Sequence, residues 1–276
     1  MIACPGCANP AADVADSAAR IHTPPGTHRN RLRIGIAHRA FLAAFFLIGL
    51  AVFFCPARCA AQVPASRPRH VLTDQEVIRG IDAAVRARED AIAGYTVNER
   101  YLIYVGGDSN PAAAKAVTVV YTRGSGETIT PTGEDGNALL NSMIVDQVLN
   151  GEASLAAPQA RESVLINSSN YEMTPESGRV QVSGHECVVV DLQSRQTGTG
   201  LFNGKVWVDD TTFGFVHLEG APSEAPNVMV GNITFAWDYA TVDGLNMQVH
   251  AESHASSPLL GNVTLVEDST NYQIRH

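Results

Sequence analysis

The densest set of ligating side chains in the sequence is His250-Ala251-Glu252-Ser253-His254. On a β-strand alternate residues share a face, so His250, Glu252 and His254 would project together, with donor types that suit zinc. The competing role is the wetted face of a strand whose dry face carries Val249 and Ala251. No third histidine stands at a telling spacing, so the wetted face is the expectation. Asp209-Asp210 invites an acid–base reading, but neighbouring residues on a strand or turn point apart, which disfavours shared proton work. Cys4-Pro-Gly-Cys7 has redox or zinc spacing without a second pair to complete a site. A Gly-x-Ser-x-Gly elbow, a P-loop and a dinucleotide glycine motif are all missing from the sequence. The expectation is therefore no catalytic residue, no metal and no cofactor.

The aromatic residues point to a different chemistry. Tyr101, Trp207, Phe235, Trp237 and Tyr239 fall at alternating positions of strand-like stretches. They serve either an ordinary sheet–helix core or the wall of a concave apolar cavity that accepts acyl chains. Apolar burial at about 25 cal/mol per Å² lets such a cavity hold lipid without any charged contact. The candidate lining set is Val97, Tyr101, Ile103, Val119, Tyr121, Leu140, Ile144, Trp207, Phe235, Trp237 and Met247.

These residues need strands and helices to place them. Lys205–Asp209 and Phe215–Glu219 alternate in polarity, and the short polar stretch between them has the chemistry of a hairpin. Ile233–Tyr239, the turn Val242-Asp243-Gly244 and Leu245–Ser253 continue the meander. Upstream, Thr73-Asp74-Gln75-Glu76 is a capping box that opens an amphipathic helix. That helix is predicted to run to about Ala93, with Gly94 as its stop and Val77, Ile81, Ala84, Val85, Arg88, Ala91 and Ile92 along one stripe. Strands are expected at Tyr95–Val105, Val117–Arg123 and Glu127–Thr132, and a helix with a wide apolar face at Asn137–Leu149. A further helix at Ala153–Ser163 breaks near Pro158; beyond Tyr171 strands continue, the last at Asn262–Val266 or Thr270–Ile274. The fold class is mostly antiparallel β (α+β), a curved sheet with covering helices.

The N-terminal part has another character. Arg29, Arg31, Arg33 and Arg39 precede the uncharged run Ala40–Phe54, which is shorter than the roughly 20 residues of a spanning helix. With Cys59-Ala60-Ala61 behind it, this reads as a Sec-type signal peptide cleaved after Ala61, with export to the periplasm. The alternative is an inner-membrane anchor through 40–54. Neither Cys55 nor Cys59 sits in a lipobox. The expected division is an extension and signal peptide at 1–61, a linker at 62–72 and a single domain at 73–276. Downstream of Ala61 the chain holds 13 basic and 26 acidic residues, so it excludes nucleic acid as a partner. Only Cys187 remains there, as a small buried hydrophobe.

A tryptophan strand, an acidic turn, the run Val216-His217-Leu218-Glu219-Gly220, an aromatic strand and Val242-Asp243-Gly244 follow one another in this order. This order resembles the C-terminal half of the LolA-like periplasmic carriers that sort outer-membrane lipoproteins, most strongly over Val180–Ile274. The resemblance implies an incomplete curved β-barrel wrapped around helices that cover a hydrophobic cavity. It makes Asn137–Leu149 a lid helix and lipids or lipoprotein acyl chains the ligands. The strand after the turn, Leu245-Asn246-Met247-Gln248, lacks the family's proline, and no arginine aligns with the family's lid latch; Arg100 is a nearby candidate. Related folds serve in envelope-stress regulators of the RseB kind. The resemblance therefore leaves open a sensor or interaction module with envelope protein partners and no transport activity.

Overall fold

The computed structural model describes residues 71–224 and 231–276. The signal peptide, its cleavage point, the anchor alternative and all but the end of the linker lie outside the described residues. Helix α1, Asp74–Ala91, begins as its capping box demands: the Thr73 hydroxyl accepts from the Glu76 amide, and the Glu76 carboxylate accepts from the Thr73 amide at 2.8 Å. Its end differs from expectation. Ile92 is the C-cap in an extended conformation, and Gly94 opens the first strand instead of closing the helix. A Cβ on Gly94 would lie 2.6 Å from the Tyr121 carbonyl oxygen, so the glycine serves close strand packing here.

Eleven antiparallel strands form one sheet among the described residues. They are β1 (Gly94–Val105), β2 (Ala113–Thr122), β3 (Gly126–Gly136), β4 (Tyr171–Pro175), β5 (Val180–Val182) and β6 (His185–Ser194), followed by β7 (Phe202–Asp209), β8 (Phe215–Pro222), β9 (Ile233–Val242), β10 (Leu245–Ser257) and β11 (Gly261–Arg275). The order is β3-β2-β1-β11-β10-β9-β8-β7-β6-β4, with β5 also on β6. β3 and β4 are left as free ends, so the sheet is open. Register shifts put an extra residue on β11 against β1, on β3 against β2, on β8 against β7 and on β10 against β9; such bulges bend strands and raise their twist. The two alternative last strands are one, β11, which continues through Asn271 at φ 58°. Asp243-Gly244, at φ 51° and 77°, makes the tight β9–β10 turn expected of that dipeptide.

The helices lie on one face of this sheet. α1 buries Val77 and Ile81 against Tyr171, Val190, Leu192, Val206, Val208 and Leu218. Between β3 and β4 runs a second helical segment: α2 (Ala138–Leu140), a π-helical turn over Asn141–Val145, α3 (Asp146–Ala156) and α4 (Pro158–Val164). The Asn137 side chain caps its start, accepting from the amides of Leu139 and Leu140. Within the π turn, buried Asn141 donates to the carbonyls of Ala114 and Asp135 and to the Glu134 carboxylate, pinning the segment to β2 and β3. Leu140, Val145 and Leu149 then pack on Val97, Tyr101, Ile103, Val117 and Val119. No described helix is long and apolar enough to cross a membrane.

Candidate functional site

The site predicted beneath 137–149 is filled by its own residues. Val97, Tyr101, Ile103, Val119 and Leu140 form one buried cluster with the helix, and Ile144 packs at its edge. Tyr121 and Met247 belong to a neighbouring cluster with Ile92 and Ala156. Phe235 and Trp237 stack at 4.8 Å and meet the Phe202 ring edge-on beside the α1 cluster. Trp207 is a correction. Val206 and Val208 take the helix-bearing face, so period-two alternation turns Trp207 to the other side, where its ring lies edge-on to His217 at 5.0 Å.

Space opens instead beside α1. A cavity of about 480 Å³ lies between α1 and the β7–β8 and β9–β10 turns, within the size range of small-ligand sites. Its apolar wall includes Val85, Phe213, Phe215, Tyr239 and Leu245, while Ala84 and Ala91 leave the helix side thin. None of the eleven candidate lining residues borders it; Phe235 borders a second, more open cleft with Gly204, Gly220 and His254. The sequence signal for it lies in the α1 stripe, where alanines alternate with Val85 and Arg88: small side chains leave the room.

The rim of the cavity is tied by polar contacts. The Asn246 side chain accepts from the Phe215 amide at 3.0 Å and donates to the Phe215 carbonyl at 2.6 Å. Arg88 donates through Nε to the Asn246 carbonyl at 2.8 Å and through Nη1 to Glu89 at 2.9 Å. Arg161 of α4 meets the same Glu89 carboxylate with two bonds of 2.6 and 3.0 Å, and its guanidinium lies 4.6 Å from the Tyr121 ring centre. This arrangement fastens α4 to α1. Arg100 takes no part in it: it is exposed on β1, opposite Asp268 of β11.

The histidines have strand and turn roles. His250 pairs with Asp268 at 2.8 Å, and His254 with Thr264 at 3.0 Å and Glu252 at 3.1 Å. Among the described residues no group of three His, Cys, Asp or Glu is placed to hold a metal ion. Asp209 accepts from the amides of Thr211 and Thr212 and pairs with His185, while Asp210 pairs with Arg179. The acidic pair therefore shapes its turn.

One feature that sequence reasoning missed is a buried cluster of carboxyl groups. Glu99 and Glu267 project from β1 and β11 onto the helix-bearing face, with Glu127 from β3 and Glu152 from α3 near them. The Tyr101 hydroxyl lies 2.9 Å from Glu99 and 3.2 Å from Glu152, and the Tyr95 hydroxyl donates to Glu127 at 2.8 Å. Burial pushes the Glu267 carboxyl up to about 8, with repulsion from Glu99 adding to it. Burial likewise pushes Glu99 up to about 7, against the pull of the Tyr101 hydrogen bond. Glu152 stands well above the ordinary carboxylate range through burial and repulsion by Glu267, Glu99 and Glu127.

Comparison with known proteins returns solved structures alone: no family model and no curated protein matches. A LolA superfamily protein from Nitrosomonas europaea aligns at 12% identity over 75% of this chain and 95% of that one, with a TM-score of 0.42. A domain assigned to outer-membrane lipoprotein sorting from Vibrio parahaemolyticus aligns at 8% identity over 71% and 91%, with a TM-score of 0.40. The MucA/MucB complex of Pseudomonas aeruginosa gives 8% identity over 71% and 99%, with a TM-score of 0.26. The fold of this chain, an open antiparallel sheet with helices packed on one face, is defined by its own strand order and helix contacts.

Proposed function

We propose that this chain is a periplasmic binder or carrier of lipid or lipoprotein acyl chains, and not an enzyme. The observation that carries this reading is the largely apolar cavity beside α1, with a thin alanine wall and an aromatic floor. Such a site gains affinity from the removal of alkyl surface from water and needs no reacting group. The sorting of outer-membrane lipoproteins is the process such a carrier would serve.

Protein purified from a bacterial periplasm should yield acyl lipids by mass spectrometry and should bind a fluorescent hydrophobic probe that hexadecanoate displaces. Ala84→Phe fills the cavity with apolar volume and should weaken probe binding about ten-fold or more while the melting temperature holds or rises. Wild-type protein that is folded and binds no probe would sink the reading. The exposure of Leu139 (66%), Met143 (48%) and Leu259 (72%) favours a second one, a module that docks an envelope protein without carrying lipid. Failure to bind any probe, together with a stoichiometric protein complex, would establish that second reading.

A further inference from the structure

The cavity beside α1 has one charged side chain that is held in place and still has donors in reserve. Arg88 lines it, with 30% of its side chain exposed. Its Nε and Nη1 are fixed by the Asn246 carbonyl and Glu89, which orient the guanidinium plane. Among the described residues its Nη2 meets the Met247 thioether alone, at 3.7 Å, and a thioether is a weak acceptor. The guanidinium therefore keeps hydrogen-bonding capacity beside an apolar space.

Local charge favours an anion there. Glu89 is a single carboxylate shared by Arg88 and Arg161, so the three side chains together carry one net positive charge, while the sheet carboxyls Glu99, Glu127 and Glu267 near them are pushed toward their neutral forms by burial. They do so in a chain whose net charge is −9. The acidic group lining the opposite wall, Asp209, is engaged by His185 and by the amides of its own turn. An arginine beside the mouth of an alkyl-sized space suits a ligand with one anionic end and one hydrocarbon end.

We propose that the cavity beside α1 takes a single-chain amphiphile with an anionic head, a carboxylate or phosphate monoester, which Arg88 holds while the alkyl chain lies along Val85, Phe215, Tyr239 and Leu245. This rests on the acyl-binding reading and adds to it the chemistry of the head. Asn246 supports the site without touching the head: it positions Arg88 through its carbonyl and fixes the start of β8 through its side chain.

Four probes of equal chain length test it by displacement titration on the full chain: hexadecanoate, hexadecyl phosphate, hexadecanol and hexadecyltrimethylammonium. Either anion should bind about ten-fold or more tightly than the alcohol, and the cation weakest. Which anion binds tighter names the head. Arg88→Gln should close the gap between anion and alcohol, and Arg88→Lys should keep part of it. Equal binding of anion and alcohol by the wild type overturns the head assignment and leaves the acyl-binding reading standing. Tighter binding of the cation overturns it as well. Failure of all four overturns both. The primary comparison is made on the wild type, so it decides the matter even where a variant does not fold.

Discussion

Raising the pH from about 5 to about 8 should lower the stability of this protein, and Glu267→Gln should remove much of that loss. Glu267 is 8% exposed, and its carboxyl is pushed up to about 8 by burial first and by Glu99 second. In the unfolded chain the same group ionises at an ordinary glutamate value of about 4.3. A group whose pKa is raised by folding contributes its stability in full below the unfolded value. That contribution fades as the pH climbs through the folded one, because the unfolded chain gains by ionising while the folded chain does not. The groups facing Glu267 set the same direction. Glu99, Glu127 and Glu152 are all raised, and Tyr95, Tyr101 and Tyr272 stay neutral throughout this range. The cations around the cluster are Arg88 and Arg161, both drawn to Glu89, and Lys115, which pairs with Asp146 and Glu134. At about 1.4 kcal/mol per pKa unit, the loss at Glu267 is on the order of 3 kcal/mol, or roughly 10 °C in melting temperature. Glutamine keeps an acceptor for Ser269 and Gln248 without a charge to desolvate. Calorimetry across this range checks it; a wild type equally stable at both ends, or more stable at the alkaline end, would refute the account.

The second large effect concerns Gly204. It sits on β7 directly opposite Gly220 of β8, and the two backbones approach so closely that an added methyl would overlap the Glu219 carbonyl oxygen. The same methyl would lie 2.6 Å from the Gly220 Cα. Neither obstacle is a side chain that can swing away, so the ladder itself must part. Gly204→Ala should cost about 3 kcal/mol or more, enough to reduce the yield of folded protein. Gly151 of α3 provides the contrast, because a Cβ there meets nothing within 4 Å. Gly151→Ala should stabilise by about 0.5–1 kcal/mol, since alanine is the better helix former and restricts the unfolded chain. Denaturant titrations of the two variants should move in opposite directions; equal stability of Gly204→Ala and the wild type would contradict the packing described.

Local rules made much of the fold legible. The Thr73–Glu76 box, the Asp243-Gly244 turn and the Val206/Val208 alternation each act over a few residues and meet their expected geometry. The break before Pro158 does the same, with α3 ending at Ala156. The candidate site was less legible because its features arise between elements. Size alone suggests a cavity role for Trp207, yet its valine neighbours determine which side of the sheet is packed. The space beside α1 depends on which turns face Ala84 and Ala91, and the helix sequence cannot say that alone. Glu99 shares the parity of Val97 and Tyr101, so its inward direction is readable from β1. Its charge conceals it, because an isolated carboxylate is ordinarily placed in water. Only the meeting of β1, β3, β11 and α3 turns four scattered glutamates into one buried group.

The position of β11 governs how the molecule can be assembled. Residues 261–275 lie between β1 and β10. Before this segment is available, β1–β3 and β4–β10 are two separate ribbons, each with a raw inner edge. α1 packs on β4 and β6–β8, but no strand of one ribbon pairs with a strand of the other, and the strand pairs that close the sheet join positions as distant in sequence as Gly94 and Arg275. Closing so long a loop is slow, and unpaired strand edges invite pairing with other chains while it is pending. The sheet would therefore stay pliable until residues 261–275 join it, then lock in one late event. Losing residues from 261–275 would accordingly harm the sheet more than an equal loss from either of its outer edges.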